Sequence, residues 1–218
     1  ADAVLYTNYF LYGVGVFDIV LEGQIAASDV NADGLTLAVG DLVYLIRVIT
    51  GDALPFPKLA PFSATADVVV YNGLVSTASS EDIGAVYMTF AVNSDYTLIN
   101  HTDLEVISNE RDGLLHVLAW SGTANMSNAI VAGNNELVTV AGGELASVQV
   151  SDYFGNLMET RVEKTALPTE FELSQNVPNP FNPTTKIGFD LPVVSEWNLA
   201  VYNVNGQLIK SYTGTNVG

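Results

Sequence analysis

The residues best suited to chemistry in this chain are Asp29-Val-Asn-Ala-Asp-Gly34. Oxygen-bearing side chains alternate at Asp29, Asn31 and Asp33, so three oxygens can converge on one point. Gly34 then permits the sharp turn that follows. Hard oxygen donors at positions 1, 3 and 5 of a loop, with glycine at 6, form the opening half of a calcium site. Position 7 supplies a backbone carbonyl, here that of Leu35. The closing carboxylate belongs at position 12, which is Gly40, and Asp41 comes one place late. Three readings follow. The loop carries a one-residue insertion and Asp41 closes it, the site has lost a ligand, or the stretch is an Asx-rich turn in which Asp41 complements a helix dipole.

The element that positions this loop is the apolar segment Asp41-Leu-Val-Tyr-Leu-Ile-Arg-Val-Ile49, which reads as a helix with Val43, Leu45, Ile46 and Ile49 as its apolar positions. Residues 1–10 repeat it at an offset of 39, so that Asp2 falls on Asp41, Val4 on Val43 and Phe10 on Ile49. Asp2 is then either the last ligand of a first calcium site or an acidic residue at a helix start. Gly13-Val-Gly15 reads as a loop; it lacks the preceding strand and third glycine of a dinucleotide fingerprint. The repeated loop-and-helix units resemble a dockerin over residues 1–53. The resemblance implies a helical pair that folds on Ca2+ and docks onto a cohesin sandwich. It departs from that pattern in the absent first loop and the late Asp41. Such a module would loosen on chelation while the rest of the chain stays folded. Residues 54–61, rich in proline, read as a linker.

Residues 62–166 alternate short apolar runs with turn signals. The runs are 67–71, 85–92, 114–120, 136–140 and 145–150; the breaks include Asn72-Gly73, Asn93-Ser-Asp95, Asp112-Gly113 and Gly142-Gly143. Strands at this spacing read as a β-sandwich. Gly143-Glu-Leu-Ala-Ser-Val-Gln-Val150 followed by Asp152-Tyr-Phe-Gly-Asn156 resembles a cohesin-like sandwich. Catalytic candidates are sparse. His101 reads as a surface residue, His116 as part of a strand, and Asp103 and Glu105 as solvated carboxylates rather than an acid–base pair. Trp120 and Tyr153 offer faces for sugar stacking or core packing. Asn100-His-Thr102 and Asn125-Met-Ser127 fit the N-glycosylation pattern. No nucleophile elbow, zinc-protease or phosphate-loop motif occurs in the sequence.

Residues 167–218 begin with Leu167-Pro-Thr-Glu-Phe-Glu-Leu-Ser-Gln-Asn-Val-Pro-Asn-Pro-Phe-Asn-Pro-Thr-Thr185. Its prolines exclude a central strand. Lys186–Leu191 alternates with Ile187, Phe189 and Leu191 on one face, and Asn205-Gly206 reads as a tight hairpin turn. The stretch resembles the C-terminal sorting domain of type IX secretion substrates, with Val177 in place of the family's Tyr. This implies a partial immunoglobulin-like sandwich, export and cell-surface attachment or release. Only about half the expected strands are present: the others were removed, are absent from this piece, or are supplied by a neighbouring molecule through strand addition.

The sequence has 24 acidic and 7 basic residues, a formal charge of −17, and no cysteine. That balance argues against nucleic acid as a partner, and no apolar run reaches the length of a membrane span. The start, without Met or leader, reads as a processed or excised piece of a longer precursor. These observations predict a mainly β protein with a small α module: a helical pair, a β-sandwich and a partial immunoglobulin-like sandwich. The function they suggest is a secreted or cell-surface assembly protein that is not an enzyme, is stabilised by Ca2+, and associates with protein partners or itself, for example as a filament subunit. Two alternatives are the attachment and sorting portion of a secreted glycoside hydrolase and a carbohydrate-binding sandwich.

Overall fold

Among the described residues, helices lie in the first quarter of the chain and strands dominate the rest. The computed structural model describes residues 2–17, 20–55, 64–122, 128–164, 171–191 and 195–216. The helices are α1 (Asp2–Tyr12), α2 (Leu21–Ala26) and α3 (Val39–Thr50), with a 3₁₀ turn at Val14–Val16. The strands are β1 (Thr65–Tyr71), β2 (Leu74–Ser79), β3 (Ile83–Asn100), β4 (Glu105–Arg111), β5 (Leu114–Trp120), β6 (Gly133–Asp152) and β7 (Glu159–Lys164). Four more follow: β8 (Glu172–Leu173), β9 (Phe189–Asp190), β10 (Ser195–Tyr202) and β11 (Leu208–Asn216). The fold is therefore mainly β. Two compact units divide it, Ala1–Thr165 and Ala166–Gly218.

In the first unit seven strands form one hydrogen-bonded, sandwich-like sheet in the order β4-β5-β3-β6-β2-β1-β7. Tight turns join β1 to β2 and β4 to β5. Asn72 and Gly73, like Asp112 and Gly113, have consecutive positive φ, the geometry that matches a turn to twisted strands. The expected breaks at Asn93–Asp95 and Gly142-Gly143 are not turns. They face each other inside the long strands β3 and β6, where the pairing jumps from Val92↔Gly143 to Thr97↔Ala141. This bulge interrupts the register without ending either strand.

Strand alternation sorts the side chains of β3 and β5 into two layers. Val86, Met88, Phe90, Leu115 and Val117 join Val68, Val75, Leu137 and Val150 in the sandwich core. On the opposite face, Ala85 and Leu118 pack with Tyr6 and Phe10 of α1 and with Val39, Leu42, Val43 and Ile46 of α3. The helices thus cover one face of the sheet. Phe10 is almost fully buried, its ring 4.8 Å from that of Tyr87 on β3. On α3, Val43 and Ile46 are buried, Leu45 is half-buried and Ile49 is exposed, so most of the predicted apolar face is used intramolecularly. Residues 56–61 of the predicted linker lie outside the described residues.

In the second unit, β10 and β11 form an antiparallel ribbon, and β8 pairs with β9. The expected turn is present: Gly206 has φ +76°, and the Asn203 side chain accepts from the Asn205 and Gln207 amides. The strand expected over 186–191 shrinks to β9 plus an isolated bridge between Val177 and Lys186. Proline supplies no amide to continue that ladder. Among the described residues, no helix is long and apolar enough to cross a membrane.

Candidate metal loop and its junction with the sheet

The loop between α2 and α3 is built from side-chain-to-backbone turns. Asp29 Oδ2 accepts from Gly34 N at 3.1 Å, Asn31 Oδ1 from Asp33 N at 3.1 Å, and Asp33 Oδ1 from Leu35 N at 2.7 Å. Each alternate side chain folds over the residues after it, which is why short polar residues occupy these places. These turns set Asn31 against Asp33, its Nδ2 donating to Asp33 Oδ2 at 3.0 Å, and among the described residues no three acidic or histidine side chains are grouped as a metal site. Asp29 Oδ1 is buried without a hydrogen-bond partner. A desolvated carboxylate oxygen left unpaired costs free energy, and a hard cation bound there would satisfy it. The residue types are those calcium takes, but of their oxygens only Asp29 Oδ1 is buried and unpaired; Asn31 Oδ1 and both Asp33 oxygens accept from within the loop.

Asp41 occupies a different role from its partners. It is fully buried; Oδ1 accepts from Val30 N at 2.8 Å and Asn31 N at 3.3 Å, and Oδ2 from Ala38 N at 3.1 Å. The Tyr6 hydroxyl of α1 lies 3.1 Å from Oδ2 and 2.9 Å from the Ser28 carbonyl. Asp41 thus closes the loop through amides of the loop itself and ties it to α1. Burial pushes its carboxyl up to about 6, against the pull of these donors. Burial, with Asp41 opposite, raises the Tyr6 phenol as well, so it stays a donor. Asp2 is an exposed residue at the start of α1, and Leu35 is exposed at the end of the loop.

Gly40 explains the missing closing carboxylate. A Cβ on residue 40 would lie 2.5 Å from the Gly155 carbonyl oxygen, and one on Gly155 would lie 2.8 Å from the Tyr44 Cβ. Helix α3 and the turn between β6 and β7 meet backbone to backbone here, leaving no room for a side chain at loop position 12. Asn31 completes the junction. Its Nδ2 donates to the Gly155 carbonyl at 2.8 Å and to Asp33 Oδ2 at 3.0 Å.

The far end of α3 is clamped by Arg47, Asp52 and Tyr153. Arg47 Nε lies 2.7 Å from Asp52 Oδ2, which also accepts from the Tyr153 hydroxyl at 2.7 Å. The guanidinium carbon sits 4.6 Å from the Tyr153 ring centroid. Hydrogen bonds from Arg47 and Tyr153 lower the Asp52 carboxyl. Tyr153 is thereby committed to the helix junction, and Trp120 lies half-buried on the helix side of β5; neither belongs to the sandwich core. The aromatic run Tyr153-Phe154 before Gly155 was the available signal.

The remaining candidates are dispersed. His101 is exposed, its Nε2 2.7 Å from the Thr139 hydroxyl. His116 is buried beneath α1, with Nδ1 2.6 Å from the Tyr87 hydroxyl and Nε2 3.2 Å from the Arg111 carbonyl. Burial, reinforced by Arg111, lowers its pKa. Asp103 and Glu105 are both exposed. The Asn100 amide nitrogen donates to the Leu104 carbonyl at 3.0 Å, while the 125–127 sequon lies outside the described residues.

No family model matches the chain, and no curated protein matches it. Among solved structures it is similar to a non-cellulosomal cohesin from Archaeoglobus fulgidus, at 10% identity over 48% of this chain and 93% of that one, with a TM-score of 0.33. It is also similar to a chain of a type I cohesin–dockerin complex from Clostridium thermocellum, at 8% identity over 49% and 92%, with a TM-score of 0.31. A GH20 exo-β-N-acetylglucosaminidase from Vibrio harveyi shares 12% identity over 51% of this chain and 20% of that one, with a TM-score of 0.26. At these scores none of them assigns the chain to a family.

Proposed function

We propose that the chain is an extracellular assembly module that is not an enzyme and associates with further copies or surface partners by strand addition. The observation that carries this reading is the β10–β11 ribbon. Among the described residues it pairs with no third strand, yet Tyr202, Leu208, Ile209 and Tyr212 are exposed and Val204 is fully so. A two-stranded ribbon is marginal in water on its own, and an added strand would use both its free edge and its apolar surface. Sedimentation velocity over a concentration series tests this. Reversible association is expected, and the double variant Leu208→Lys with Ile209→Lys should weaken it at least tenfold. A chain that stays monomeric at every concentration removes self-association from the reading.

In the same reading Ca2+ stabilises the loop through Asp29, Asn31, Asp33 and the Leu35 carbonyl, with Asp41 organising the loop rather than ligating. The unpaired Asp29 oxygen supports this assignment. Binding that favours the folded state raises its stability by mass action, about 2.7 kcal/mol at a hundredfold excess over Kd. Melting curves recorded in chelator and in millimolar Ca2+ should therefore separate. The Asp29→Asn variant should lose most of the difference; coincident wild-type curves would remove calcium from the account.

A further inference from the structure

A second feature, away from the loop, lies where α1 and α3 cross the ends of β4 and β5. A cavity of about 250 Å³ opens there, walled by Val4, Ile46, Ile49 and Trp120, with Thr7 beside them and Glu105 at its edge. Its mouth is apolar and uncovered: Val4 is 63% exposed and Ile49 59% exposed. Glu105 stands against bare backbone, because a Cβ on Gly122 would lie 2.5 Å from its Oε1. Among the described residues, none of the ion pairs includes Glu105.

We propose that this pocket takes one lysine or arginine side chain presented by a partner protein. Its methylene stem lies along Val4, Ile46, Ile49 and Trp120, and its cation meets Glu105. Three observations select this occupant. The volume falls below the roughly 300 Å³ at which pockets for whole small molecules begin, and suits one long side chain. The lining joins a long apolar wall to a single charge, the complement of a side chain with an aliphatic stem and a charged tip. The chain's net charge of −17 draws cations toward it and repels acidic occupants. Arginine and tryptophan are among the residues enriched where an interface concentrates its binding energy. The inference rests on the assembly reading for the partner being a protein, but the pocket itself can be probed with small cations.

The test titrates the intact chain with n-butylguanidinium and n-butylammonium, following the Trp120 indole resonance by NMR, with 1-butanol as the uncharged probe at matched ionic strength. Both cations should shift the resonance saturably with millimolar Kd, and butanol should bind at least fivefold more weakly. Glu105→Gln, an exposed and conservative change, should weaken cation binding by up to about fivefold, the range of an exposed ion pair, and leave butanol unaffected. Equal binding of butanol, no saturable shift, no effect of Glu105→Gln, or a shift produced by cellobiose and by neither cation would each overturn the assignment. Saturable cation binding by a strictly monomeric chain would instead remove self-association from the assembly reading and leave the pocket standing.

Discussion

A single glycine decides what the metal loop can be. Residue 40 lies inside α3, where alanine is intrinsically favoured by about 1 kcal/mol. Its neighbour, though, is a backbone carbonyl 2.5 Å from where a Cβ would sit, and Asn31 holds that carbonyl in place. Overpacking against backbone costs about 1–3 kcal/mol, so the clash outweighs the helix preference. Gly40→Ala should lower the melting temperature by several degrees. Gly15→Ala, with nothing within 4 Å of the new Cβ, should not. An unchanged melt for Gly40→Ala would mean that α3 and the Tyr153–Asn156 turn do not touch as described. The same residue marks the limit of sequence reading. The turns at Asp29, Asn31 and Asp33 are legible because they are local. Gly40 looked like a defect because its reason lies 115 positions away at Gly155. Sequence leaves the role of Asp41 open, as closing ligand or helix-dipole partner, because nothing nearby in sequence reveals that it faces three loop amides and Tyr6.

Among elements, helices α1 and α3 are part of the sheet's fold rather than an attachment to it. Phe10 packs on Tyr87, and Leu42, Val43 and Ile46 share a core with Ala85 and Leu118. Removing a buried phenylalanine side chain costs about 3–5 kcal/mol through lost burial and the cavity left behind. Phe10→Ala should therefore shift helical and sheet unfolding together, followed by far-UV circular dichroism and by hydrogen exchange in β3 and β5. Loss of protection in α1 and α3 alone would restore the picture of a separable helical module, which is what the sequence suggested. The legible elements were those whose periodicity is strong, α1, α3, β1 and β5. Three strands escaped notice. β4 (Glu105–Arg111) and β7 (Glu159–Lys164) are polar because they form the edges of the sheet, where charge discourages unwanted pairing, and the interior strand β2 (Leu74–Ser79) is masked by its small Ser, Thr and Ala residues. Strands β3 and β6 read as broken because a bulge uses the same asparagine, serine and glycine residues as a turn.

For the molecule as a whole, charge is distributed unevenly along the chain. Residues 1–165 hold 20 acidic and 5 basic side chains, and residues 166–218 only 4 and 2. Two copies approaching through their first units repel, whereas the β10–β11 ribbon combines little charge with uncovered Tyr202, Leu208 and Ile209. Association driven by that ribbon is thus opposed by long-range repulsion and favoured by apolar burial, and salt acts on the two differently. Raising ionic strength from 0.01 to 1 M shortens the screening length from about 30 Å to about 3 Å, which removes the repulsion while leaving the apolar term. Sedimentation across that range should show association strengthening with salt, and the Leu208→Lys, Ile209→Lys variant should stay dissociated throughout. Association that weakens as salt rises would instead mark an interface made by opposite charges. The ribbon would then not be what holds the copies together, and the search would move to the acidic first unit.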